Sequence, residues 1–464
     1  MRSLKFSVAI VLTLATFLLP NRSLATQHEV ESTHWLSQPL SVGDSLNIAL
    51  GQNSAILRGK ADLEAAHGVV IQTRAIALPK LRAGTDYQIN DQSAVETFPS
   101  QAAPGFPVIV NNDQKWSANI RIVQSVYEGG RINSALRTAK LTREQAILNF
   151  QTVVADTLRD VRIAYDDVLL AEQNIVVQEA SVNLLSKEFE DTSRRLEAGT
   201  VPRFNVLRAE VEVANARPRL IRARNAYRIA KNNLANLLGY NLPKGIGEDI
   251  PLRLTGKLTD ELYEIDLSNA LLRAFENRTE LASLRKAEKL RLENIVNARG
   301  GYKPSVQVFA GYGSRSSAFG TDLTRDISGW FTGAQLSWDI FDGRLTQGRV
   351  IEAKALHERA EIDVDEAARR IELEVRTAYS SFIEAKELLE SQKKVQEQAD
   401  EALRLARARI EAGSGTQLDV LGAQTALTEA RTTQIQALRD YSVAKTRLDR
   451  AIGDNLETRK IASP

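Results

Sequence analysis

Apolar positions along the chain follow two rhythms, and the switch between them occurs twice in the same order. Leu46, Ala49, Leu50, Ile56, Leu57 and Leu63 recur at spacings of three and four, which predicts helix over 45–77. Pro79 ends that helix, because proline offers no N–H and restricts the residue before it. The period then becomes two. Leu81, Ala83, Thr85, Tyr87 and Ile89 alternate with Lys80, Arg82, Gly84, Asp86 and Gln88, which predicts a strand over about 79–90. A loop rich in Asn, Asp, Ser, Gly and Pro follows. The next alternating stretch predicts a strand over about 115–127, with Trp116, Ala118, Ile120 and Ile122 on one face. A helical hairpin is then predicted over 131–239, turning at Gly199 and stopping at Gly239, the residue type expected just past a helix end.

The whole series recurs over 266–453: a helix over 266–299, strands over about 304–313 and 329–341, and a hairpin over 344–453. Pro79 answers to Pro304 at an offset of 225, and beyond the strand loops the offset becomes 214. Val161-Arg162-Ile163-Ala164-Tyr165 then matches Val375-Arg376-Thr377-Ala378-Tyr379. Leu196-Glu197-Ala198-Gly199-Thr200 matches Ile410-Glu411-Ala412-Gly413-Ser414. The register holds without a gap across the hairpins, so the chain is an internal duplication, 26–239 and 266–453. Residues 240–265, with Pro243, Gly245, Gly247, Pro251 and Gly256, read as the linker, and 454–464 as a short tail.

The first arm of each hairpin, about 131–197 and 345–411, is roughly 100 Å long at helical rise. Its seam of Leu158, Val161, Tyr165, Val168, Ile175, Val182, Leu185 and Phe189 is narrow and interrupted by Glu172 and Glu179. That pattern describes a coiled coil in water, with no private core and a need for neighbouring helices. Pro218 lies inside one returning arm where the copy has Thr432, so a bend is expected in one hairpin only. The two-faced strands suit a lipid-facing barrel, or equally a soluble hairpin laid on helices. Tyr87, Trp116, Trp330 and Trp338 suit an aromatic belt at a membrane interface.

Composition narrows the chemistry. The 464 residues carry a net charge of +2 and no basic run interleaved with aromatics, which argues against nucleic acid. Absence of cysteine removes disulfides, zinc ribbons and thiol catalysis. None of His28, His34, His67 and His357 stands at ligand spacing from another, so no metal, cofactor or catalytic site is expected, and no enzyme. Arg2 and Lys5 precede an apolar run from Phe6 to Leu19, and Ser23-Leu24-Ala25 offers small residues for cleavage. Residues 1–25 therefore read as a secretory signal. No later stretch approaches 18 consecutive apolar residues, so any membrane span would be a β-barrel.

The tip motifs RLEAGTVPRFNVLRA (195–209) and RIEAGSGTQLDVLGA (409–423), with VYEGGR (126–131) and IFDGR (340–344) where strand meets helix, are similar to those of the TolC / outer membrane efflux protein family. The resemblance covers about 41–453. It implies a mainly α fold with transmembrane β: duplicated coiled-coil hairpins forming an α-barrel, and four strands per protomer in a trimeric twelve-stranded barrel. It implies a homotrimer in outer-membrane lipid of a Gram-negative-type cell, with a long periplasmic extension. The partners would be a periplasmic adaptor (membrane fusion protein) and an inner-membrane transporter. The function implied is an exit duct for small molecules, or for a polypeptide in type I secretion. Residue patterns alone leave open a non-pore periplasmic or surface coiled-coil structural protein.

In that family, acidic side chains ring a periplasmic constriction just past the tip glycines, here Gly199 and Gly413. Asp419 matches one acid of the ring, and Gly422 replaces the second. Gly415 stands in place of a basic locking residue, and Asn205 in place of the first hairpin's acid. Asp419 and Asn205 read equally as caps of the returning helices. Arg195, Arg203 and Arg409, among the arginines near the tips, are candidate adaptor contacts.

Overall fold

The structure, a computed structural model, describes residues 39–94, 97–99, 107–109, 113–240, 249–261, 263–316 and 326–454; the expected signal lies outside them. The hairpins fall where the rhythm places them. Helix α3 (Arg131–Glu197) returns as α4 (Arg203–Leu237), and α7 (Leu345–Glu411) returns as α8 (Gln417–Ile452). Helix α4 runs through Pro218 without interruption. Each hairpin pairs along its length, and α8 also packs against α3, joining the two copies side by side.

The shorter helical segments differ from expectation. Residues 45–77 form two helices, α1 (Val42–Gln52) and α2 (Ser54–Arg74), and 266–299 form α5 (Leu267–Asn277) and α6 (Thr279–Arg299). The breaks fall at equivalent residues, Asn53 and Arg278, both extended at ψ 129° and 114°. The apolar rhythm crosses both breaks; Asn53 is a helix-capping residue type, whereas Arg278 makes no side-chain cap and gives no local signal. Asn53 Nδ2 donates to the Leu237 carbonyl at 2.6 Å, while its Oδ1 accepts from the Ala55 N–H at 2.8 Å. Arg278 donates to the Ala451 carbonyl at 3.2 Å and pairs with Glu374 at 2.8 Å. Each break thus delivers a donor to a carbonyl that the end of a returning helix leaves free.

Each repeat has a core of its own at the root of its hairpin, contrary to the reading of the seam as coiled coil throughout. Leu46, Ile56, Val161, Tyr165, Leu234 and Leu238 are buried together, and so are Leu281, Ile371, Val375, Phe382, Leu448 and Ile452. The seam by itself is too narrow for a core, and α1, α2, α5 and α6 supply the missing apolar surface. The link between repeats also packs. Ile250 and Leu252 are buried, Lys231 Nζ reaches the Ile250 carbonyl at 3.0 Å, and Tyr165 donates to the Leu40 carbonyl at 3.0 Å while accepting from the Gly256 N–H at 2.9 Å.

Four strands form one antiparallel sheet in the order β1 (Lys80–Ile89), β4 (Gln114–Glu128), β5 (Ser305–Ser316), β6 (Asp326–Ser337). The central β4–β5 pair joins the two repeats. A small hairpin, β2 (Thr97–Pro99) with β3 (Pro107–Ile109), lies in the segment read as loop. Strand β6 ends at Ser337, so Trp338, Ile340 and Phe341, expected inside a strand reaching 341, lie beyond it.

Candidate functional site

The sheet register sorts side chains into two faces. Leu81 opposes Ile122, which opposes Ala310 and then Thr332; the next row on the same face is Ala83, Ile120, Tyr312 and Trp330. Among the described strand residues, the only charged side chain on this face is Asp326, at a strand end. Trp330 is 84% exposed and stacks edge-on with Tyr312 at 5.1 Å. Tyr87 opposes Trp116 and bonds Gln114 at 3.1 Å, and Trp338 donates to the Tyr302 carbonyl at 3.2 Å. A bare apolar face flanked by such aromatics is what a barrel presents to lipid. On the other face Phe331 lies over Gly311 and Phe309 over Gly333. A Cβ on either glycine would fall within 2.6 Å and 2.7 Å of the ring.

The tips are built from the same letters with different chemistry. Gly199 and Gly413 both take left-handed φ, +68° and +76°, which frees the turn of a Cβ penalty. In the second tip the Ser414 and Gly415 N–H groups both reach the Arg409 carbonyl at 2.9 Å. A Cβ at Gly415 would sit 2.9 Å from the Ile410 nitrogen, so this glycine has a local steric cause. Gly422 faces open space and has none.

Asp419 closes a capping box. Its Oδ2 accepts from the Thr416 N–H at 3.0 Å, and its own N–H donates to Thr416 Oγ1 at 3.3 Å. The Thr416 N–H first, and then the Thr416 side chain, bond the Asp419 carboxyl and hold it below the ordinary range, and Arg409 adds to the effect. Asn205 does not repeat this role. Helix α4 is preceded by Pro202 at its N-cap position and has no side-chain cap. Among the arginines, Arg194 and Arg404 pair within their helices, to Asp191 and Glu401. Arg195, Arg203 and Arg409 are exposed and form no ion pair among the described residues.

A polar ladder that residue patterns could not show runs along the α3–α8 seam. From tip to root it comprises Gln417–Thr192 at 2.6 Å, Thr428–Ser181 at 3.2 Å, Arg439–Asp167 at 2.6 Å, Ser442–Asp166 at 2.6 Å and Arg450–Asp156 at 2.9 Å. Burial pushes the Asp166 carboxyl up to about 6, against the Ser442 bond. Both partners of each rung lie over 200 residues apart, so no local motif announces them. A second constellation also escaped comparison of histidines with one another: Glu288, His357 and Glu361 bring ligand atoms within 4.8 Å. It sits on the partly exposed helix surface, and His357 and Glu361 are neighbours by helical spacing at 3.9 Å.

The sequence pattern of a family described as "outer membrane efflux protein" matches residues 45–240 and 270–454. The chain is similar to "Outer membrane protein TolC" of Escherichia coli, at 23% identity over 86% of this chain and 80% of that protein. It is similar to "Cobalt-zinc-cadmium resistance protein CzcC" of Cupriavidus metallidurans, at 24% identity over 89% and 90% of the two chains. Its fold resembles the open state of the Neisseria gonorrhoeae MtrE outer-membrane channel, with a TM-score of 0.71 at 19% identity over 94% and 96% of the chains.

Proposed function

The chain belongs to the outer membrane efflux protein family, and from that premise we propose that three copies close into one exit duct through the outer membrane and periplasm. The channel role and the outer-membrane location follow from the family; trimeric closure and the partners are our reading. One inequality between the repeats carries it. Leu421, Ile435 and Val443 of α8 are 4%, 8% and 3% exposed where α8 lies between α7 and α3. Their equivalents on α4, Leu207, Ile221 and Ile229, are 49%, 66% and 51% exposed. Helix α4 therefore lacks the second neighbour that α8 has. Exposed Leu388, Val395 and Leu405 on α7 make that helix of the next protomer the natural partner. Such a head-to-tail contact closes into a ring.

The sheet makes the same demand. Strands β1 and β6 each have one unpaired edge in the sheet, and lipid offers no hydrogen bonds to satisfy it. Three four-stranded sheets close a barrel of twelve, between the roughly eight strands that side chains fill and the roughly 16 of an open porin. Three Asp419 carboxylates then ring the periplasmic mouth, held by their caps. Exposed Arg195, Arg203 and Arg409 face an adaptor that couples the duct to an inner-membrane transporter.

Light scattering on detergent-extracted protein tests the assembly. The wild type is expected at three times the protomer mass, and Leu207→Asp with Ile221→Asp at one. A monomeric, water-soluble wild type would instead support a coiled-coil structural protein without a pore.

A further inference from the structure

The lumen-side face of the sheet carries a charge that the channel role does not require. The face opposite Trp330 and Ile120 turns inward once the barrel closes, because lipid must meet the apolar one. Read from the helix end outward, its rows begin with Lys80 beside Val123, Phe309 and Gly333. Arg82 then stands directly opposite Arg121, in line with Gly311 and Phe331. Gly84, Asn119, Gly313 and Gly329 form the next row, with no charge. Asp86, Ser117, Arg315 and Ile327 follow, and Lys115 opposes Gln88 near the far end. A bulge after Ser125 brings Glu128 onto this face at the helix end, where it bonds Gln307 at 3.2 Å.

Five cations thus face two carboxylates in each protomer. All five are exposed, and none forms an ion pair among the described residues. A like-charged pair directly across strands, as Arg82 and Arg121 make, is unfavourable by itself. A soluble hairpin would gain by replacing one of them. Three small residues in the uncharged row (Gly84, Gly313 and Gly329) leave the centre of the lumen open beside the arginines. In a narrow passage with low-dielectric walls, charge of one sign concentrates mobile ions of the other.

We propose that the barrel lumen is an anion-attracting passage and that the duct serves anionic solutes, such as carboxylated, sulfated or phosphorylated molecules. This rests on the trimeric closure proposed above. The Arg82–Arg121 row gives the passage its strongest positive section, repeated three times around the barrel. Divalent cations would meet an electrostatic barrier there.

The test is the reversal potential of the full-length protein in a planar bilayer under a KCl gradient. It is made in the wild type and in Asp419→Ala, which removes the mouth carboxylates from the reading. In Asp419→Ala, chloride is expected to permeate at least about threefold better than potassium. Adding Arg82→Gln and Arg121→Gln brings the ratio toward one, and Asp86→Asn alone raises it without touching the arginines. Pores that prefer potassium in Asp419→Ala, or a ratio that ignores both lumen changes, overturn the anion passage and leave the duct standing. A folded protein that forms no pores overturns the duct itself and this inference with it.

Discussion

The two repeats began as one sequence and now occupy different surroundings. At the second tip Val420 and Leu421 are buried and Gln417 is tied to Thr192 of the first hairpin. At the first tip the equivalent Leu207 is half exposed, and Phe204 two residues past Pro202 is 66% exposed. Capping follows the same division. Thr416 and Asp419 fasten one returning helix, whereas Pro202 and Asn205 leave the other without a side-chain cap. One copy is completed inside the protomer, and the other keeps a surface for a neighbour. In the proposed ring a duplicated hairpin thereby supplies both halves of a repeating contact.

Substitutions at equivalent positions sharpen this contrast. The largest effect is expected at the root. A Cβ at Gly239 would sit 2.3 Å from the Gln52 carbonyl oxygen, whereas one at Gly453 meets nothing nearer than 3.1 Å. Gly453→Ala should cost about 1–2 kcal/mol for its left-handed backbone, and Gly239→Ala clearly more, read by thermal unfolding in detergent. Next, Leu421→Ala or Ile435→Ala should cost about 2–4 kcal/mol of protomer stability. Leu207→Ala and Ile221→Ala should leave the protomer nearly unchanged and lower trimer yield instead. Equal losses of protomer stability in both sets would erase the proposed difference between α4 and α8. Thr416→Ala is expected to cost about 1 kcal/mol, while Asn205→Ala should cost nothing measurable.

The smallest effect is a pH slope confined to one copy. Burial raises the Asp166 carboxyl to about 6, above roughly 3.9 in an unfolded chain. Between about pH 4 and 6 the folded state therefore binds more protons than the unfolded one. Stability should fall as pH rises through that window and level off above it. Asp166→Asn should flatten the slope. The equivalent position in the second repeat is Ser380, which has nothing to titrate.

Periodicity carried most of the fold because long helices and two-faced strands repeat their signal many times. Both 67-residue helices match the read boundaries. What it missed depends on contacts between distant residues. Asn53 and Arg278 break helices and donate to carbonyls more than 170 residues away; Asn53 is a helix-capping residue type, whereas nothing beside Arg278 in sequence marks its break. At the tips, Gly413 and the capping box of Asp419 follow local turn chemistry and were legible as such. The ladder from Gln417 to Arg450 was not, because its partners come from the other repeat. The basic face of the sheet is half legible: alternation separates Lys80, Arg82 and Asp86 from their apolar neighbours, but only the register sets Arg82 against Arg121.

In the proposed ring, α4 meets α7 of the next protomer as α8 meets α3 within one chain. The Thr428–Ser181 contact, 3.2 Å within the chain, maps onto Ala214 and Val395, both exposed here. The natural sequence has no cysteine, so disulfide trapping is free of background. Ser181→Cys with Thr428→Cys should cross-link inside each chain and leave its mass unchanged on denaturing gels. Ala214→Cys with Val395→Cys should link chains into dimers and closed trimers. Efficient linking of the first pair, with the second pair never joining chains in the folded membrane protein, would rule out the α4–α7 contact.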